Sequence, residues 1–395
     1  MRRRLRKGLR VHYVEHLSDL PQAWIDLLPQ DHFLQPASLA LYEQAALPNV
    51  SFGYALVWNG DEPVAAASFQ ILHLQEHHLN TGVLKPWQSR GWRVFVQTIR
   101  PKLLVSGHLF RHDVPAFYVV EGLEPFAAFR VYHAALHEAG KKSCAAAVLL
   151  KDPPEAMQMY FQQFAPEYGL LRADVSMALE LEPDWTSFTE YEKALKHKYA
   201  QRTRNVRKAA AELNIRELTT EDVTASKDAI HALYQQVAIK QPVRLGYLSA
   251  ELLPTLKAAY PDTLKVWGYY EGSTLVAFSS GWVKDTALDM FYIGFDYSRN
   301  SALQLYFNIL FHAVEQAIAL KKSTLILGRT ALEAKARLGA RPKYLQTFLH
   351  IRNPVAREIV ARLQARFAVG EGEWESRHPF KSSPSPPAPS NPPNP

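Results

Sequence analysis

Residues 264–295 read LKVWGYYEGSTLVAFSSGWVKDTALDMFYIGF, three apolar runs separated by two short polar turns. The Glu-Gly-Ser turn at 271–273 lies between runs rich in β-branched and aromatic residues, which predicts a β-hairpin. After the Lys-Asp turn at 284–285, the third run predicts another strand over Ala287–Phe295. The stretch therefore predicts a hairpin followed by a third strand of the same sheet.

An earlier part of the chain repeats this pattern. Asn-Gly-Asp at 59–61 joins two apolar runs, and a Val-Ala dipeptide follows the turn glycine, Gly60 or Gly272, at the same spacing. An apolar-periodic helix is predicted before each hairpin, at 38–46 and at 249–259. The match favours a duplicated unit of helix and hairpin. Two hairpins that look alike by chance are the alternative.

Alternating apolar and helical patterns over the rest of the chain predict an α/β (α+β) protein. In the first half we predict strands at 102–106, 115–120, 144–150 and 171–181, and helices at 124–139 and 154–165. The capping box Ser187-x-x-Glu190 predicts a long helix that continues to about residue 213. In the second half we predict a helix at 222–240, a loop at 296–301, a long helix at 302–320, a strand at 323–327 and a helix at 331–338.

The charge is unevenly distributed along the chain. Lys and Arg number 45 against 38 Asp and Glu, a net charge of +7. Residues 1–10 and 196–208 each contain six Lys or Arg and no acid, and the remainder has 33 basic against 38 acidic residues. Any affinity for a polyanion must therefore come from these two basic stretches.

Several features predict a cytoplasmic protein. A single cysteine, Cys144, excludes an intrachain disulfide. No apolar stretch is long enough for a transmembrane helix, and acidic and His residues interrupt any secretory signal after the basic N-terminus. We interpret residues 1–10 as a disordered basic arm, with contact to a membrane surface or nucleic acid as the alternative, and the Pro- and Ser-rich end from 382 as disordered.

The segment 287–340 has the pattern most informative about function. A polar loop with one arginine, Tyr-Ser-Arg-Asn-Ser at 297–301, lies between a strand and a long helix. Such a loop presents unpaired N–H groups and the positive end of the helix dipole, an arrangement suited to a pyrophosphate. Loops of this kind occur in every α/β protein, so the order of the neighbouring elements is needed as well.

The order helix, hairpin, third strand, phosphate-type loop, helix, strand, helix resembles the GCN5-related N-acetyltransferase (GNAT) fold. The sequence is most similar to its Fem-type peptidoglycan aminoacyltransferases and BioF2-like acyltransferases, over residues 30–365. The resemblance depends on four stretches of the sequence. The first two are Lys198-x3-Arg202-x-Arg204-Asn205-x-Arg207-Lys208 and Tyr292-x-Gly294-x-Asp296. The other two are the predicted helix with Tyr306, Phe307 and Asn308, and Leu327-Gly328-Arg329-Thr330 with Lys335 and Leu338-Gly339-Ala340.

The resemblance implies two tandem GNAT-like domains, each a mixed, mostly antiparallel sheet flanked by helices, and this would account for the repeat. The implied ranges are a basic arm and lead-in at 1–29, an N-terminal domain at 30–183, a basic connecting helix at 184–213, a C-terminal acyltransferase domain at 214–368 and a disordered tail at 369–395. The implied activity is transfer of an acyl group from acetyl-CoA or another acyl-CoA, without a metal, to a small amine acceptor held in a cleft between the domains.

Candidate residues follow from that resemblance. Because the two central strands of a GNAT domain splay apart around the acyl-CoA, the implied donor site consists of Phe291, Ile293, Gly294, Arg299, Asn300, Ser301, Ala302, Gly328 and Arg329. The implied catalytic residues are Asp289, Tyr292 and Lys335. Asp289 is a candidate base, since the attacking ammonium must lose a proton. The candidates for binding a phosphate-bearing substrate are Arg204, Asn205, Lys208, Tyr306 and Asn308.

Lys335 marks a departure from the common pattern. Many GNAT enzymes have a Tyr four residues before a Gly-Phe pair to protonate the leaving thiolate, whereas here Lys335 precedes Gly339 and Ala340. A lysine could stabilise a thiolate or a donor phosphate by its charge. The alternative donor is aminoacyl-tRNA, used by the Fem enzymes on a peptidoglycan precursor. A third hypothesis is a non-catalytic GNAT-like scaffold that binds a polyanion.

Other motifs favour no competing chemistry. The pairs His73-x3-His77 and His108-x3-His112 have helical metal-site spacing but lie in predicted strand or loop, so we predict no metal site. The chain has no Gly-x-Ser-x-Gly nucleophile elbow, Walker A or Gly-x-Gly-x-x-Gly stretch. For the basic helix at 196–208, a solvated face without a ligand is the alternative to substrate binding.

Overall fold

The computed structural model describes residues 5, 8–79, 86–241, 243–354, 356–358 and 377–381, with the backbone alone at 172–174. Its strands are β1 Leu9–Val14, β2 Val50–Asn59, β3 Glu62–His73, β4 Lys102–Ser106, β5 Phe117–Val119, β6 Ala147–Lys151, β7 Gly169–Glu180, β8 Asn214–Glu217, β9 Leu264–Glu271, β10 Thr274–Val283, β11 Ala287–Phe295, β12 Thr324–Gly328 and β13 Arg341–Ile351. Its helices are α1 Gln22–Leu27, α2 Pro36–Gln44, α3 Pro86–Ile99, α4 Pro125–Lys142, α5 Glu155–Phe164, α6 Phe188–Ala194, α7 His197–Ala209, α8 Thr220–Ala225, α9 Lys227–Ala238, α10 Leu252–Ala259, α11 Tyr297–Leu303, α12 Leu305–Ala319 and α13 Leu332–Ala336.

The chain forms two compact units. Unit 1 comprises the ranges Met1–Asp174, Thr219–Pro261 and Tyr344–Val369, and unit 2 comprises the remainder. Within these ranges the structure describes the residues given above. Each unit contains a mixed, mostly antiparallel sheet flanked by helices, so the predicted fold class is confirmed. The domain ranges implied by the family resemblance remain predictions.

The sheet of unit 1 has the strand order β1-β2-β3-β4-β6-β13, and β5 also pairs with β3. Strands β2 and β3 form the predicted hairpin, with Gly60 at the turn in the left-handed region at φ +69°. β4 pairs antiparallel with β3 and parallel with β6, and α4 provides the connection that a parallel pair requires. β13 then pairs antiparallel with β6.

The sheet of unit 2 repeats this arrangement in the order β8-β9-β10-β11-β12-β7. The hairpin β9–β10 turns at Gly272, also in the left-handed region at φ +58°. β11 pairs antiparallel with β10 and parallel with β12, and β7 pairs antiparallel with β12. The same succession of pairings in both units supports the duplication inferred from the sequence.

The last strand of each sheet comes from the other half of the chain. Unit 1 is completed by β13, which follows the second repeat, and unit 2 by β7, which follows the first. Such a long-range exchange leaves no local trace in the amino-acid pattern, because it concerns which strand pairs with which.

Apolar helix faces build the core of each unit. In unit 1, α4 buries Val131, Ala135 and Ala139 in one cluster with Ala65 and Ala67 of β3. The spacing of three to four residues places these side chains on one helical face. In unit 2, α12 is buried over most of its length, as a helix that is apolar nearly all round must be.

The predicted helix from Ser187 to about 213 is wrong as a single element. The capping box is present, with the Glu190 carboxylate accepting the Ser187 N–H at 3.0 Å. However, the backbone is extended at Leu195 and Lys196, which separates α6 from α7. The Lys196 N–H instead donates to the Pro379 carbonyl at 2.7 Å. A backbone partner distant in the sequence thus replaces the helical hydrogen bond.

Other predicted elements need smaller corrections. The loop predicted at 296–301 forms α11, because Asp296 caps it by accepting the Ser298 N–H at 2.9 Å. The helix predicted at 222–240 is α8 and α9, divided at Ser226. Residues 9–10 of the predicted arm belong to β1. Within the predicted tail, Phe380 is buried in unit 2, whereas residues 1–4, 6–7 and 382–395 lie outside the described residues.

Candidate functional site

A gap opens between two neighbouring strands of unit 2. The parallel ladder of β11 and β12 has its last pair at Asp289 and Ile326, although both strands are described beyond that point. β11 continues to Phe295, and β12 remains paired with β7 as far as Gly328. We call the space beyond this last pair the β11–β12 gap. The ladder thus ends in the part of unit 2 where the family resemblance implies splayed strands.

A β-bulge lies beside the gap. The register between β10 and β11 shifts between Ser279 and Gly281, so that Phe291 and Tyr292 together oppose Ser280. The Ser280 hydroxyl accepts the Tyr292 N–H at 3.0 Å and donates to the Tyr292 carbonyl at 2.8 Å. Bulges re-aim the side chains next to them. The predicted site residues Phe291, Tyr292, Ile293 and Gly294 therefore follow a local kink in β11.

The predicted pyrophosphate segment has less free positive charge than the sequence suggested. Arg299 forms ion pairs with Glu271 and, at 3.2 Å, with Asp296. The Asp296 carboxylate also caps α11, which places a negative charge where the phosphates were expected. The Asn300 side-chain oxygen accepts the Tyr306 N–H at 3.0 Å, while Ser301 and Ala302 belong to α11. These contacts give the segment a structural function in joining α11 to α12.

Two of the predicted substrate-binding residues contribute to the packing of unit 2, Asn308 being buried and Tyr306 half-buried. The Asn308 amide donates to the backbone carbonyls of Val206, Leu303 and Gln304 at 2.9 to 3.2 Å. The Tyr306 ring packs against Phe295, and burial raises the pKa of its hydroxyl. Both residues hold α12 in place, which the residue types alone could not reveal.

Lys335 has the most unusual electrostatic environment among the predicted catalytic residues. It lies on α13, its exposed fraction is 4%, and burial lowers the pKa of its ammonium group to about 7. Within the part of the chain that the structure describes, its side chain makes no hydrogen bond or ion pair. A lysine that is half protonated near neutral pH can both accept and donate a proton, so its environment suits acid–base chemistry.

Asp289 occupies a different environment. Its carboxylate is buried at the last pair of the β11–β12 ladder and accepts a hydrogen bond from the Lys284 ammonium at 2.6 Å. The partner lies just beyond β10, so the ion pair ties the β10–β11 turn to the sheet. This contact favours a structural function for Asp289, while its function as a base remains a prediction.

The basic helix α7 presents its predicted ligands outward. Arg204, Asn205 and Lys208 are exposed, and Arg204 forms an ion pair with Glu192 at 2.8 Å. Arg207 instead lies over the Phe188 ring and pairs with Glu315. The exposed face of α7 is therefore accessible to a large polyanion.

An arginine cluster beside α13 was missed by the sequence reasoning. Arg337 and Arg377 donate to the same Glu333 oxygen at 2.5 and 3.0 Å. Burial lowers the pKa of Arg202, and the nearby charge of Arg337 lowers it further. We call Arg202, Arg337 and Arg377 the arginine cluster. Of these contacts, only the spacing of Glu333 and Arg337 along the chain was visible in the sequence.

Gly328 and Arg329 connect β12 to α13. Gly328 lies at φ +78° in the left-handed region, and Ala331 at the start of α13 is also left-handed. This sharp turn places α13, and with it Lys335, directly after the end of the strand that borders the gap. The predicted site residues of β12 and α13 thus follow one another closely along the chain.

A buried polar chain runs through unit 2 next to the bulge. The Tyr269 hydroxyl lies 3.1 Å from the Ser279 hydroxyl and 2.9 Å from His312 Nδ1. Gln316 contacts the other ring nitrogen of His312 at 3.1 Å. Burial lowers the pKa of His312 to about 4, so the imidazole is neutral at physiological pH. This chain stabilises the sheet next to Ser280.

Unit 1 contains a cavity at the matching end of its parallel strands. The cavity has a volume of about 280 Å³, and its lining includes Gly107, Lys151 and Tyr132. Charged side chains there are paired with one another: Arg111 with Asp113 at 2.6 Å and Lys151 with Asp152 at 2.9 Å. Among the described residues of the chain, no group of three or more His, Cys, Asp and Glu side chains is arranged to hold a metal ion.

Comparison with known proteins finds structural likenesses only. No protein-family model and no curated protein matches the chain. It is similar to a tandem GNAT protein from the clavulanic acid biosynthesis pathway, with TM-score 0.49 and 10% identity over 87% of this chain and 99% of that one. It is also similar to FemX, with TM-score 0.45 and 8% identity over 78% and 89%. A conserved protein of Enterococcus faecalis V583, described as a probable N-acyltransferase, gives TM-score 0.45 and 14% identity over 87% and 72%. At such identities, a likeness says nothing about substrate or reaction.

Proposed function

We propose that unit 2 catalyses transfer of an acyl group from acyl-CoA to an amine. The observation that supports this most directly is the β11–β12 gap, where a paired parallel ladder ends while both strands continue. A strand edge released from its neighbour has backbone N–H and C=O groups available for an extended amide-containing ligand. The pantetheine arm of CoA is such a ligand.

Lys335 supplies the proton transfer in this proposal. The acceptor nitrogen attacks the thioester carbonyl, a C–N bond forms, the C–S bond breaks, and one proton must pass from nitrogen to the thiolate. With its pKa near 7, neutral Lys335 accepts a proton from the attacking amine nitrogen as the C–N bond forms, and protonated Lys335 passes that proton to the thiolate as the C–S bond breaks. The charge of the protonated form also stabilises the leaving sulfur in a site shielded from water.

Anionic groups of the substrates fit the arginine cluster better than the α11 segment. Arg299 is already paired with two carboxylates, whereas Arg337 and Arg377 share Glu333 and Arg202 lies near them. Arginine binds phosphate and carboxylate groups through paired N–H donors. We therefore place a phosphate of the donor or acceptor at the arginine cluster.

The test is an acyltransfer assay on the purified chain. Acetyl-CoA is incubated with a panel of primary amines, and the free CoA thiol released is measured with a thiol reagent. We expect amine-dependent release that Lys335→Met lowers by at least about 100-fold, as loss of a general acid–base group does. Calorimetric titration with CoA is expected to show binding that the same variant retains.

The matched control is Lys257→Met in unit 1. Lys257 is as buried as Lys335, but its ammonium donates to the Pro261 carbonyl at 2.7 Å. It is expected to leave turnover unchanged. Failure to detect CoA binding at millimolar concentration would exclude acyl-CoA as donor, and full activity of Lys335→Met would exclude the assigned chemistry.

A second candidate keeps the fold but changes the donor to aminoacyl-tRNA. The exposed basic face of α7 favours it, because Arg204, Asn205 and Lys208 lie on one accessible side. Binding to tRNA would weaken steeply with salt, since each phosphate contact releases a counterion. The Arg204→Ala/Lys208→Ala variant would then bind tRNA more weakly with a shallower salt dependence. Identical curves for the variant and the wild type would exclude this face.

A further inference from the structure

Helix α3 in unit 1 is attached to its unit along one edge. Of its residues, Val96 is the buried one. The Trp92 indole N–H donates to the Glu76 carbonyl at 3.2 Å, and Arg93 and Gln97 donate to the Glu76 carboxylate at 3.0 and 2.5 Å. A single short turn before the helix therefore holds much of it, and the opposite face is left to solvent.

That outer face is apolar. Trp87, Val94, Phe95 and Ile99 are exposed by 70%, 54%, 42% and 61%. At 100° per residue, these four positions fall within one arc of the helix, which also contains Gly91 and the polar residues Gln88 and Thr98. Scattered apolar residues on a surface need no explanation, but a large aromatic-rich stripe on one helix face does.

Helix α3 and the residues just after it contain no acidic side chain. The helix has Arg90 and Arg93, the latter paired with Glu76, and Arg100 follows it. Arg90 is exposed at the border of the apolar stripe. This contrasts with the rest of the chain, which is acidic once its two basic stretches are set aside. An apolar stripe bordered by arginine and containing a tryptophan has the composition of a helix that lies in a membrane interface.

We propose that α3 docks unit 1 on an anionic lipid surface. The helix is about 21 Å long and would lie flat, with Trp87, Phe95 and Ile99 at the boundary of headgroups and acyl chains. Arg90 and Arg100 would contact the lipid phosphates. None of the described helices is long and apolar enough to cross a membrane. The charge of the helix selects this occupant over an uncharged apolar partner.

The experiment is co-sedimentation of the full chain with vesicles of equimolar phosphatidylglycerol and phosphatidylcholine, and with vesicles of phosphatidylcholine alone. We expect binding to the anionic vesicles that weakens as salt is raised. Trp87→Ser/Ile99→Ser should lower the partition coefficient by about tenfold or more, because two apolar anchors are lost. Arg90→Gln/Arg100→Gln should lower it by about fivefold for each arginine removed.

The matched control is Met159→Ser/Leu170→Ser, which removes two apolar side chains of unit 1 that are 59% and 51% exposed elsewhere. It is expected to bind like the wild type, and thermal unfolding verifies that all variants fold. Absence of binding to anionic vesicles, equal binding to phosphatidylcholine, or unchanged binding of both α3 variants would overturn the proposal. So would a dimer in solution that dissociates on Trp87→Ser/Ile99→Ser, since a second copy would then cover the stripe.

Discussion

Replacing Lys335 with methionine should make the protein more stable and less active at the same time. The lysine is buried without a described partner, and burial lowers the pKa of its ammonium group from 10.5 to about 7. The folded protein therefore binds fewer protons at this site than the unfolded chain between these two pH values. By linkage, this lowers the free energy of unfolding at neutral pH, and the deficit disappears as the pH rises.

The size of the effect follows from the pKa. Each tenfold change in a proton dissociation constant corresponds to about 1.4 kcal/mol. With the pKa of Lys335 at about 7 in the folded protein, this lysine lowers the free energy of unfolding by about 4 kcal/mol at pH 7. Methionine fills a similar volume without a charge, so Lys335→Met should gain a stability of this order at pH 7. The gain should fall towards zero by about pH 10.

Urea unfolding of the wild type and Lys335→Met at pH 6 to 10 measures this gain. Lys257→Met is the control, since it removes a hydrogen bond to Pro261 and should not stabilise the protein. A destabilised Lys335→Met variant, or a stability difference that does not change with pH, would refute the reasoning. A stable and inactive variant would show that the lysine is kept for function at the expense of stability.

Three further predictions concern unit 2. Because burial lowers the pKa of His312 to about 4, the free energy of unfolding should fall as the pH drops from about 6.5 to 4. In urea titrations, His312→Gln should lessen this fall by up to about 3 kcal/mol, and an unchanged pH profile would contradict the lowered pKa of His312. Ser280→Ala removes both hydrogen bonds of the bulge, so kcat/KM for acyl transfer should drop by about tenfold with a small change in Tm. Unchanged kinetics would show that the bulge does not shape the site. Gly339→Ala places a methyl group against the Phe380 ring at φ +100°, which should cost about 2 kcal/mol or more; in thermal unfolding this loss should be smaller in a Phe380→Ala background, and strict additivity would exclude the contact.

Local elements of the fold were largely predictable from the sequence. The third strand of the stretch at 264–295 has the predicted bounds Ala287–Phe295, and both hairpins turn at the predicted glycines. Gly60 and Gly272 adopt a left-handed conformation that few other residues tolerate, so a local signal determines each turn. The capping box at Ser187 likewise depends on residues three apart.

The helix breaks were not predictable in the same way. The interruption between α6 and α7 depends on the Pro379 carbonyl, which comes from a segment predicted to be a disordered tail. The exchange of β7 and β13 between the two sheets is also a choice among distant partners. Local propensity cannot rank such choices, because each candidate strand is equally competent to pair.

The candidate site likewise has features that the sequence indicated and features that depend on the folded chain. Sequence resemblance indicated Lys335, but its low pKa arises from burial, which is a property of the folded chain. Arg299 was predicted to bind phosphate, and the fold pairs it with Asp296 and Glu271. The arginine cluster went unnoticed because Arg202, Arg337 and Arg377 come from three separate elements.

The amino-acid sequence alone thus determined the repeated hairpins, the uneven charge and the residue types available for acyl transfer, since these depend on neighbours along the chain. The tertiary structure decided where the pairing of β11 with β12 ends, which charges are paired and that Lys335 is buried. Those outcomes depend on burial and on partners far apart in the chain, and the free energy of a charge is set by the groups that surround it after folding.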